Sequence, residues 1–198
     1  MTTQKSLHKI NQTLWVYWFL FTLLAIVFVL VNFIVWVGPL ISSASPLFFG
    51  SVLGMCFGLT TGLAQWIVLK RYLTNSYLWI VSTMLAWTLF FALNMAGFFG
   101  RGEDLSSKMF EGSTHGFLFG ALLGFVQWLA IGRFSARSAA WIWINALVWS
   151  LCAMVADGFK MAFHLYGPAE FMIAFALASF LSGIGMNKLI PAFLKVNR

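Results

Sequence analysis

The sequence predicts an all-α membrane protein with six transmembrane helices, because its composition, apolar stretches and charge placement all favour that fold class. Of its 198 residues, 61% are hydrophobic and 9% are charged, whereas soluble domains carry about 25% charged residues. Apolar stretches of about 20 residues, enough to cross about 30 Å of hydrocarbon as a helix, recur along the chain. The predicted spans are residues 14–37, 47–69, 77–98, 112–131, 139–162 and 168–187. The connections are too short for a soluble domain, so we expect residues 1–198 to form one membrane domain.

The charged residues predict the orientation of the helices. If the N-terminus is cytoplasmic, the cytoplasmic side carries Lys5, Lys9, Lys70, Arg71, Arg133, Arg137, Lys188, Lys195 and Arg198. The opposite side then carries Arg101, Lys108, Lys160 and every acidic residue, namely Glu103, Asp104, Glu111, Asp157 and Glu170. Cytoplasmic loops are enriched in Lys and Arg, so both termini are predicted to be cytoplasmic. Anionic lipid headgroups account for the net charge of +7, and no nucleic-acid partner is expected.

An internal repeat relates residues 50–92 to residues 112–154, with about 15 identities in 43 positions and no gap. Both copies contain four glycines spaced four apart, followed by Gln-Trp, an Arg and two further tryptophans. The glycines are Gly50, Gly54, Gly58 and Gly62 in the first copy and Gly112, Gly116, Gly120 and Gly124 in the second. The other pairs are Gln65 with Gln127, Trp66 with Trp128, Arg71 with Arg133, Trp79 with Trp141, and Trp87 with Trp149. Helices 2–3 and 4–5 are therefore predicted to be two helical hairpins related as parallel repeats.

The repeated residues predict how the helices assemble. Glycines four residues apart share one helix face and allow a second helix to approach closely. Helices 2 and 4 are therefore expected either to form the central pair or each to receive a bulky neighbour. Gln65 and Gln127 are interpreted as structural polar residues that bond each other or backbone, and lining a polar site is the alternative. The interfacial aromatic belt is expected to contain Trp66, Trp128, Trp79 and Trp141, and helix 1 is expected to be peripheral and lipid-facing.

The repeated string also resembles a known group of proteins. The pattern Gly-x3-Gly-x2-Gln-Trp-x2-Leu/Ile-x-Arg, followed by Trp-Ile, is similar to the GxxQWLxLR-type hairpins of small bacterial integral membrane proteins. The resemblance covers about residues 50–154 and implies a multi-pass protein of a bacterial cytoplasmic or internal membrane. That group has no assigned activity, so the resemblance implies fold and location alone. Gly132 departs from the pattern, because a second basic residue is usual at that position.

The predicted spans contain little that resembles catalytic machinery. The sequence has no P-loop, no HExxH and no GxSxG motif. No charged residue lies at the centre of a span, so coupling to protons or sodium through intramembrane carboxylates is not expected. The polar residues near the midplane are Thr60, Thr61, Thr83, Thr88, Asn145 and Ser150. The sequence identifies no cofactor.

Titratable residues instead gather at the predicted outer face, where helices 4 and 5 form one hairpin. Glu111 and His115 lie four residues apart at the start of helix 4, and Asp157 and His164 lie seven apart near the end of helix 5. Two histidines with two carboxylates form a candidate metal set. A salt-bridge cluster, with Asp157 held by Lys160, is the alternative interpretation. The candidate ligand-binding residues are His115, Glu111, Asp157, His164 and Asn94.

Three functions are compatible with these features. The first is a small-molecule binding or transport module whose outward-facing polar site takes a small apolar or amphipathic ligand. The second is a non-catalytic accessory or assembly subunit that binds a larger membrane complex through its lipid-facing helices. The third, a minor alternative, is a metal-dependent enzyme at the outer face.

Overall fold

The described residues form a bundle of six α-helices with one short 3-10 turn, and this all-α class is as predicted. The computed structural model describes residues 4–32, 43–71, 76–97, 105–131, 136–163 and 168–196, together with residues 35, 37 and 39. The helices are α1 (Gln4–Asn32), α2 (Pro46–Leu69), α3 (Leu78–Met95), α4 (Leu105–Ile131), α5 (Ala140–Phe163) and α6 (Pro168–Val196). The 3-10 turn, Ala136–Ala139, leads into α5. No β-strand occurs among these described residues.

Five of the helices are long and apolar enough to cross a membrane. They are α1, α2, α3, α5 and α6, whose candidate spans cover 18 to 24 residues each. The described part of α4 is not among the five; glycines, His115 and Gln127 interrupt its apolar residues. Two helix ends show the expected local chemistry. Ser45 accepts a hydrogen bond from the Phe48 backbone N–H at the start of α2, with Pro46 in the first turn. Gly97 has a φ of 77° just after α3, a conformation that glycine adopts without strain.

The helices form a closed ring in chain order. Each helix packs against its neighbours in the sequence, and α6 returns to pack against α1. The most extensive contacts lie within the two hairpins, α2 with α3 and α4 with α5. The expectation that helices 2 and 4 form the central pair is therefore wrong, because each glycine stripe contacts its own hairpin partner. The expectation that helix 1 is peripheral and lipid-facing holds for one of its faces: Leu24 and Phe28 are 65% and 61% exposed. The helix also closes the ring, and Trp18 and Ile26 on its inner face are 1% and 0% exposed.

The glycine stripes allow the two backbones of each hairpin to touch. A Cβ atom added at Gly54 would collide with the backbone oxygen of Trp87, and one at Gly116 with the backbone oxygen of Trp149. Along α4, the stripe ends at Gly124, where an added Cβ would lie 2.7 Å from the Cα atom of Ile142. The same backbone approach therefore occurs in both hairpins. Such contact is how helices associate in lipid, where burial of apolar surface gives no net driving force.

Two buried apolar clusters lie at different heights inside the ring. The first cluster contains three fully buried tryptophans, Trp18, Trp79 and Trp141, here called the tryptophan triad. Trp79 and Trp141 are each 1% exposed, so their predicted place in an interfacial aromatic belt is wrong. The second cluster, here called the aromatic layer, contains Phe57, Trp87, Phe91, Phe119 and Phe175, with Trp149 packed against it. Between these clusters the bundle interior is polar.

Candidate functional site

The candidate site is a layer of uncharged polar side chains between the tryptophan triad and the aromatic layer. Each of the six helices contributes at least one side chain to this polar layer. Thr22, Thr83 and Asn145 each follow a tryptophan of the triad by four residues, which is about one helical turn. The polar layer consists of Thr22, Thr61, Gln65, Thr83, Gln127, Asn145, Ser179 and Ser182. Polar side chains inside a membrane bundle require internal partners, because hydrocarbon offers none.

The tryptophan triad borders the polar layer on one side and donates hydrogen bonds to it. Its rings contact one another, with centroids 5.8 Å apart for Trp18 and Trp79, 6.3 Å for Trp18 and Trp141, and 5.8 Å for Trp79 and Trp141. Each indole N–H donates to a different polar residue. Trp79 donates to Gln65 Oε1 at 2.8 Å, Trp141 to Gln127 Oε1 at 2.8 Å, and Trp18 to Ser182 Oγ at 3.2 Å.

A hydrogen bond links the two hairpins where α3 packs against α4. Gln127, which is 1% exposed, donates from Nε2 to Thr83 Oγ1 at 2.9 Å. Gln65 and Gln127 therefore bond tryptophan and threonine side chains, and neither bonds the other as the first interpretation expected. Gln127 is the most constrained polar residue of the layer, because it accepts from α5 and donates to α3 at the same time.

The aromatic layer closes the other side of the polar layer. Trp87 stands at its centre, with ring centroids 5.1 Å from Phe175, 4.4 Å from Phe119 and 5.5 Å from Trp149. Phe57 stacks on Phe175 at 5.8 Å. Because these rings come from five helices, a molecule could pass between the polar layer and this end of the bundle only if the rings moved.

A cavity of about 20 Å³ lies inside the polar layer. Its lining also includes Trp18 and Trp141 on one side and Trp87, Trp149 and Phe175 on the other. A cavity needs about 10–15 Å³ of this volume to hold one water molecule, so the cavity is of water size. The lining contains neither a charged residue nor any of the predicted ligand-binding residues.

The predicted outer cluster forms a separate feature between α4 and α5. Asp157 lies against α4, since a Cβ atom added at Gly112 would collide with its carboxylate. One residue further along α4, Ser113 shares a 2.8 Å hydrogen bond with Ser150. Glu111, His115, Asp157 and Lys160 each interact with a neighbouring group. Asn94 is half-buried near the end of α3, and its backbone oxygen accepts a hydrogen bond from the Gly97 N–H at 3.1 Å.

The candidate metal set consists of Glu111, His115, Asp157 and His164. His164 lies outside the described residues. Within the part of the chain that the structure describes, no group of three or more His, Cys, Asp or Glu side chains could hold a metal ion.

Sequence reasoning noted Thr61, Thr83 and Asn145 as midplane residues but did not join them into a site. The missed signal is a spacing of four between layers. On α3 and α5 the order is Trp79-x3-Thr83-x3-Trp87 and Trp141-x3-Asn145-x3-Trp149, which stacks an indole, a polar group and an indole on one helix face. On α1, Trp18 and Thr22 follow the same order, and Ser179 and Ser182 contribute the polar groups of α6.

Taken together, the five apolar helices of membrane-spanning length define a multi-pass α-helical membrane protein, with an uncharged polar layer inside its ring. Comparison with known proteins adds no name to that class. No protein family, no curated protein and no solved structure matches the chain.

Proposed function

We propose that this protein binds or transports small uncharged polar molecules at the polar layer of its six-helix ring. The observation that carries the proposal is the cavity, lined by uncharged polar side chains from every helix. Uncharged polar side chains in membrane spans commonly hydrogen-bond across helices, so the proposal rests on the cavity that these side chains line and not on their polarity alone.

The chemistry of the lining restricts the ligand. With no carboxylate and no basic side chain facing the cavity, an ion would lose its hydration without a compensating charge. The cavity volume of about 20 Å³ admits one water-sized molecule, whereas pockets that bury drug-sized ligands have volumes of about 300–1,000 Å³. Any larger solute therefore requires the aromatic layer to open. This chemistry favours a small polar ligand over the apolar or amphipathic one expected from the sequence.

The arrangement of the helices also supports a finer topology, which we include in the proposal. The helix α4 packs between α3 and α5, which are both candidate spans, so it crosses the membrane with them as a sixth span. The positions of the basic residues favour cytoplasmic termini. The glycine contacts and the Trp-to-Gln bonds, which occur in both hairpins, support two parallel repeats. From the sequence pattern alone, we also propose that the protein belongs to the bacterial group with GxxQWLxLR-type hairpins and lies in a bacterial cytoplasmic or internal membrane.

The test is solute permeability of proteoliposomes, followed by stopped-flow light scattering. Water, formamide, urea and glycerol are compared as neutral permeants, and Na⁺ and K⁺ fluxes are followed with ion-sensitive dyes. We expect at least one neutral permeant to cross faster than through protein-free vesicles, with no added ion flux. Equal rates for all four neutral permeants, with and without protein, would contradict the proposal.

A matched pair of variants assigns any flux to the polar layer. Ala178 lines the cavity and is 2% exposed, so Ala178→Val places two methyl groups at the cavity wall. Ala176 lies two residues away on the same helix, is half-buried and is not part of the lining. Ala178→Val is expected to reduce the flux, and Ala176→Val to leave it unchanged. Equal effects of the two variants would place the pathway elsewhere.

A second candidate, the accessory subunit, is favoured by the surface of α5. Only 17% of its membrane-spanning window is buried inside the bundle, against 33–44% for the other four spans. Its exposed face carries Trp143, Leu147 and Leu151, at spacings that form one stripe. A partner protein in the membrane would cover that stripe, as in other assemblies of transmembrane helices.

Native mass spectrometry from mild detergent separates this candidate from the first. A stoichiometric partner should be lost in the double variant Trp143→Ala/Leu147→Ala. It should remain in the control Leu24→Ala/Phe28→Ala, which alters two exposed residues of α1. A protein that stays monomeric, or a partner that both double variants retain, argues against the α5 surface as a docking site.

A further inference from the structure

The cavity contains a buried hydroxyl without a hydrogen-bond partner. Thr22 is 5% exposed, lines the cavity, and its Oγ1 atom has no partner among the described residues. Other threonines in the spans bond the backbone oxygen one turn earlier, at 2.6 Å for Thr61 and 2.8 Å for both Thr60 and Thr88. Thr22 does not use this local bond, although its own helix provides the acceptor. Its hydroxyl is instead available to the cavity.

Two amide groups at the cavity are also incompletely bonded. The repeat offset relates Gln127 and Thr83, which bond each other at 2.9 Å, to Gln65 and Asn145. Gln65 accepts from Trp79 through Oε1, and Asn145 donates from Nδ2 to the Trp141 backbone oxygen at 2.9 Å. Among the hydrogen bonds between described residues, none uses Gln65 Nε2 or Asn145 Oδ1. Gln127 and Thr83 bond each other directly. At the repeat-equivalent positions, Gln65 in the first hairpin instead presents a donor to the cavity and Asn145 in the second hairpin presents an acceptor.

These three groups define a binding site for one small molecule. A buried water makes about three hydrogen bonds and needs about 10–15 Å³, and this cavity offers about 20 Å³. We propose that the cavity holds one neutral hydrogen-bonding molecule of water size, and water itself when no solute is present. The molecule accepts from Gln65 Nε2 and donates to Asn145 Oδ1, and it bonds the Thr22 hydroxyl. This inference rests on the proposed function, because it specifies how the same cavity holds the first molecule that enters.

A monovalent cation is the competing occupant, because hydroxyl and amide oxygens also ligate such ions. The donor at Gln65 Nε2 argues against it, since an N–H group cannot ligate a cation and would repel it. The lining also lacks a carboxylate to balance the charge. Both occupants predict an effect of Thr22, so the experiment must separate them.

The first test is the sign of the change in thermal midpoint, Tm, when the Thr22 hydroxyl is replaced by a methyl group. In a hydrated cavity, Thr22→Val removes one ligand of the water and lowers Tm by about 2–4 °C, the size expected for losing one buried hydrogen bond from a chain of this length. In a dry cavity, the same variant removes an unsatisfied hydroxyl and raises Tm. Thr88→Val is the matched control, because its hydroxyl bonds Met84 O on its own helix and does not line the cavity. A Tm equal to or above that of Thr88→Val overturns the inference.

A second variant keeps the inference falsifiable if Thr22→Val folds poorly. Asn145→Thr installs at the second hairpin the hydroxyl that Thr83 provides in the first, so Gln65 gains a direct partner. Thr22→Val should then change Tm less in the Asn145→Thr background than in the wild type. An unchanged effect would mean that the three groups do not share one molecule.

The cation is tested with the same protein by comparing Tm in sodium, potassium and choline chloride. The inference predicts equal values, and a rise specific to Na⁺ or K⁺ overturns it in favour of a cation. The outcome for the proposed function stays separate, because the Tm series reports on the bound water and the permeability assay reports on solute passage. A negative permeability result with the expected Tm series leaves the water site in place and removes the transport proposal.

Discussion

Gln127 is the residue whose removal should damage the polar layer most. It is 1% exposed, accepts from Trp141 Nε1 at 2.8 Å and donates to Thr83 Oγ1 at 2.9 Å. The substitution Gln127→Leu keeps the side-chain volume similar and removes both bonds. Thr83 can turn its hydroxyl toward its own helix, as Thr88 does toward Met84. The indole of Trp141 has no such local acceptor, so its N–H is left buried without a partner.

The expected loss of stability follows from these two consequences. An unsatisfied buried donor costs about 1–3 kcal/mol, and the lost bond to Thr83 contributes about 0.6 kcal/mol in a membrane bundle. Gln127→Leu should therefore lower the free energy of unfolding by about 2–4 kcal/mol. Gln65→Leu removes one direct side-chain bond, from Trp79, at a half-buried position, and takes one ligand from the proposed cavity molecule, which keeps Asn145 and Thr22. Its effect should be roughly half as large, about 1–2 kcal/mol.

The assay is reversible unfolding in mixed micelles, followed by far-ultraviolet circular dichroism so that tryptophan substitutions do not alter the signal. A double-mutant cycle with Trp141→Phe isolates the hydrogen bond. Because Trp141→Phe removes the orphaned donor, it should cost less in the Gln127→Leu background than in the wild type, with a coupling energy of about 1–2 kcal/mol. Purely additive effects, or a Gln127→Leu protein as stable as the wild type, would refute this account of the layer.

Three further predictions follow from burial and close contact. Gly120→Ala should destabilise the fold by about 1–3 kcal/mol or more, because the new Cβ would collide with the Asn145 backbone oxygen. Gly185→Ala should cost less, because its Cβ would meet the Ile144 side chain at 2.8 Å and no backbone atom; unfolding in mixed micelles compares the two. In a Cys56→Ser background, which removes the half-buried second cysteine, Cys152 is 0% exposed and should resist maleimide in detergent until the protein unfolds; fast labelling of the native state would contradict its burial. The loss of tryptophan fluorescence caused by brominated lipids should be smaller in Trp143→Phe than in the wild type, because Trp143 is 64% exposed; an equal loss in both proteins would show that this face is covered.

Much of the fold follows from local features of the sequence. Hydropathy predicts the helices because every backbone polar group in lipid must be satisfied within its own segment. The glycine spacing predicts close backbone contact, and the structure has that contact at Gly54 and Gly116. The choice of partner could not be predicted, since a glycine stripe specifies only that some helix approaches. In the structure the glycine faces of α2 and α4 contact α3 and α5, the next helices along the chain, as consecutive elements commonly do.

The candidate site was less predictable, because burial of a tryptophan depends on ring closure. From the sequence, Trp18, Trp79 and Trp141 lie near span ends, where interfacial tryptophans are common. In the structure, α1 and α6 complete the ring with the two hairpins. The three tryptophans therefore lie inside the bundle and not on its lipid-facing surface. The one sequence signal for the layer is the four-residue spacing of indole and polar groups, which has meaning only if their helix face points inward. The functional prediction centred on the charged residues at the outer face, because the chemistry of charged side chains can be recognised from the sequence without knowing the fold.

The measurement that tests the central claim most directly is solution NMR of the tryptophan indole N–H groups in ¹⁵N-labelled protein, titrated with formamide and urea. If small uncharged molecules bind the polar layer, the resonances of Trp18, Trp79 and Trp141 should shift with saturation, because their N–H groups donate into that layer. The exposed Trp143 serves as the internal reference and should not follow the same curve. Saturable shifts of all three triad resonances are the predicted result. Triad resonances that stay fixed at solute concentrations giving enhanced permeability would contradict the account.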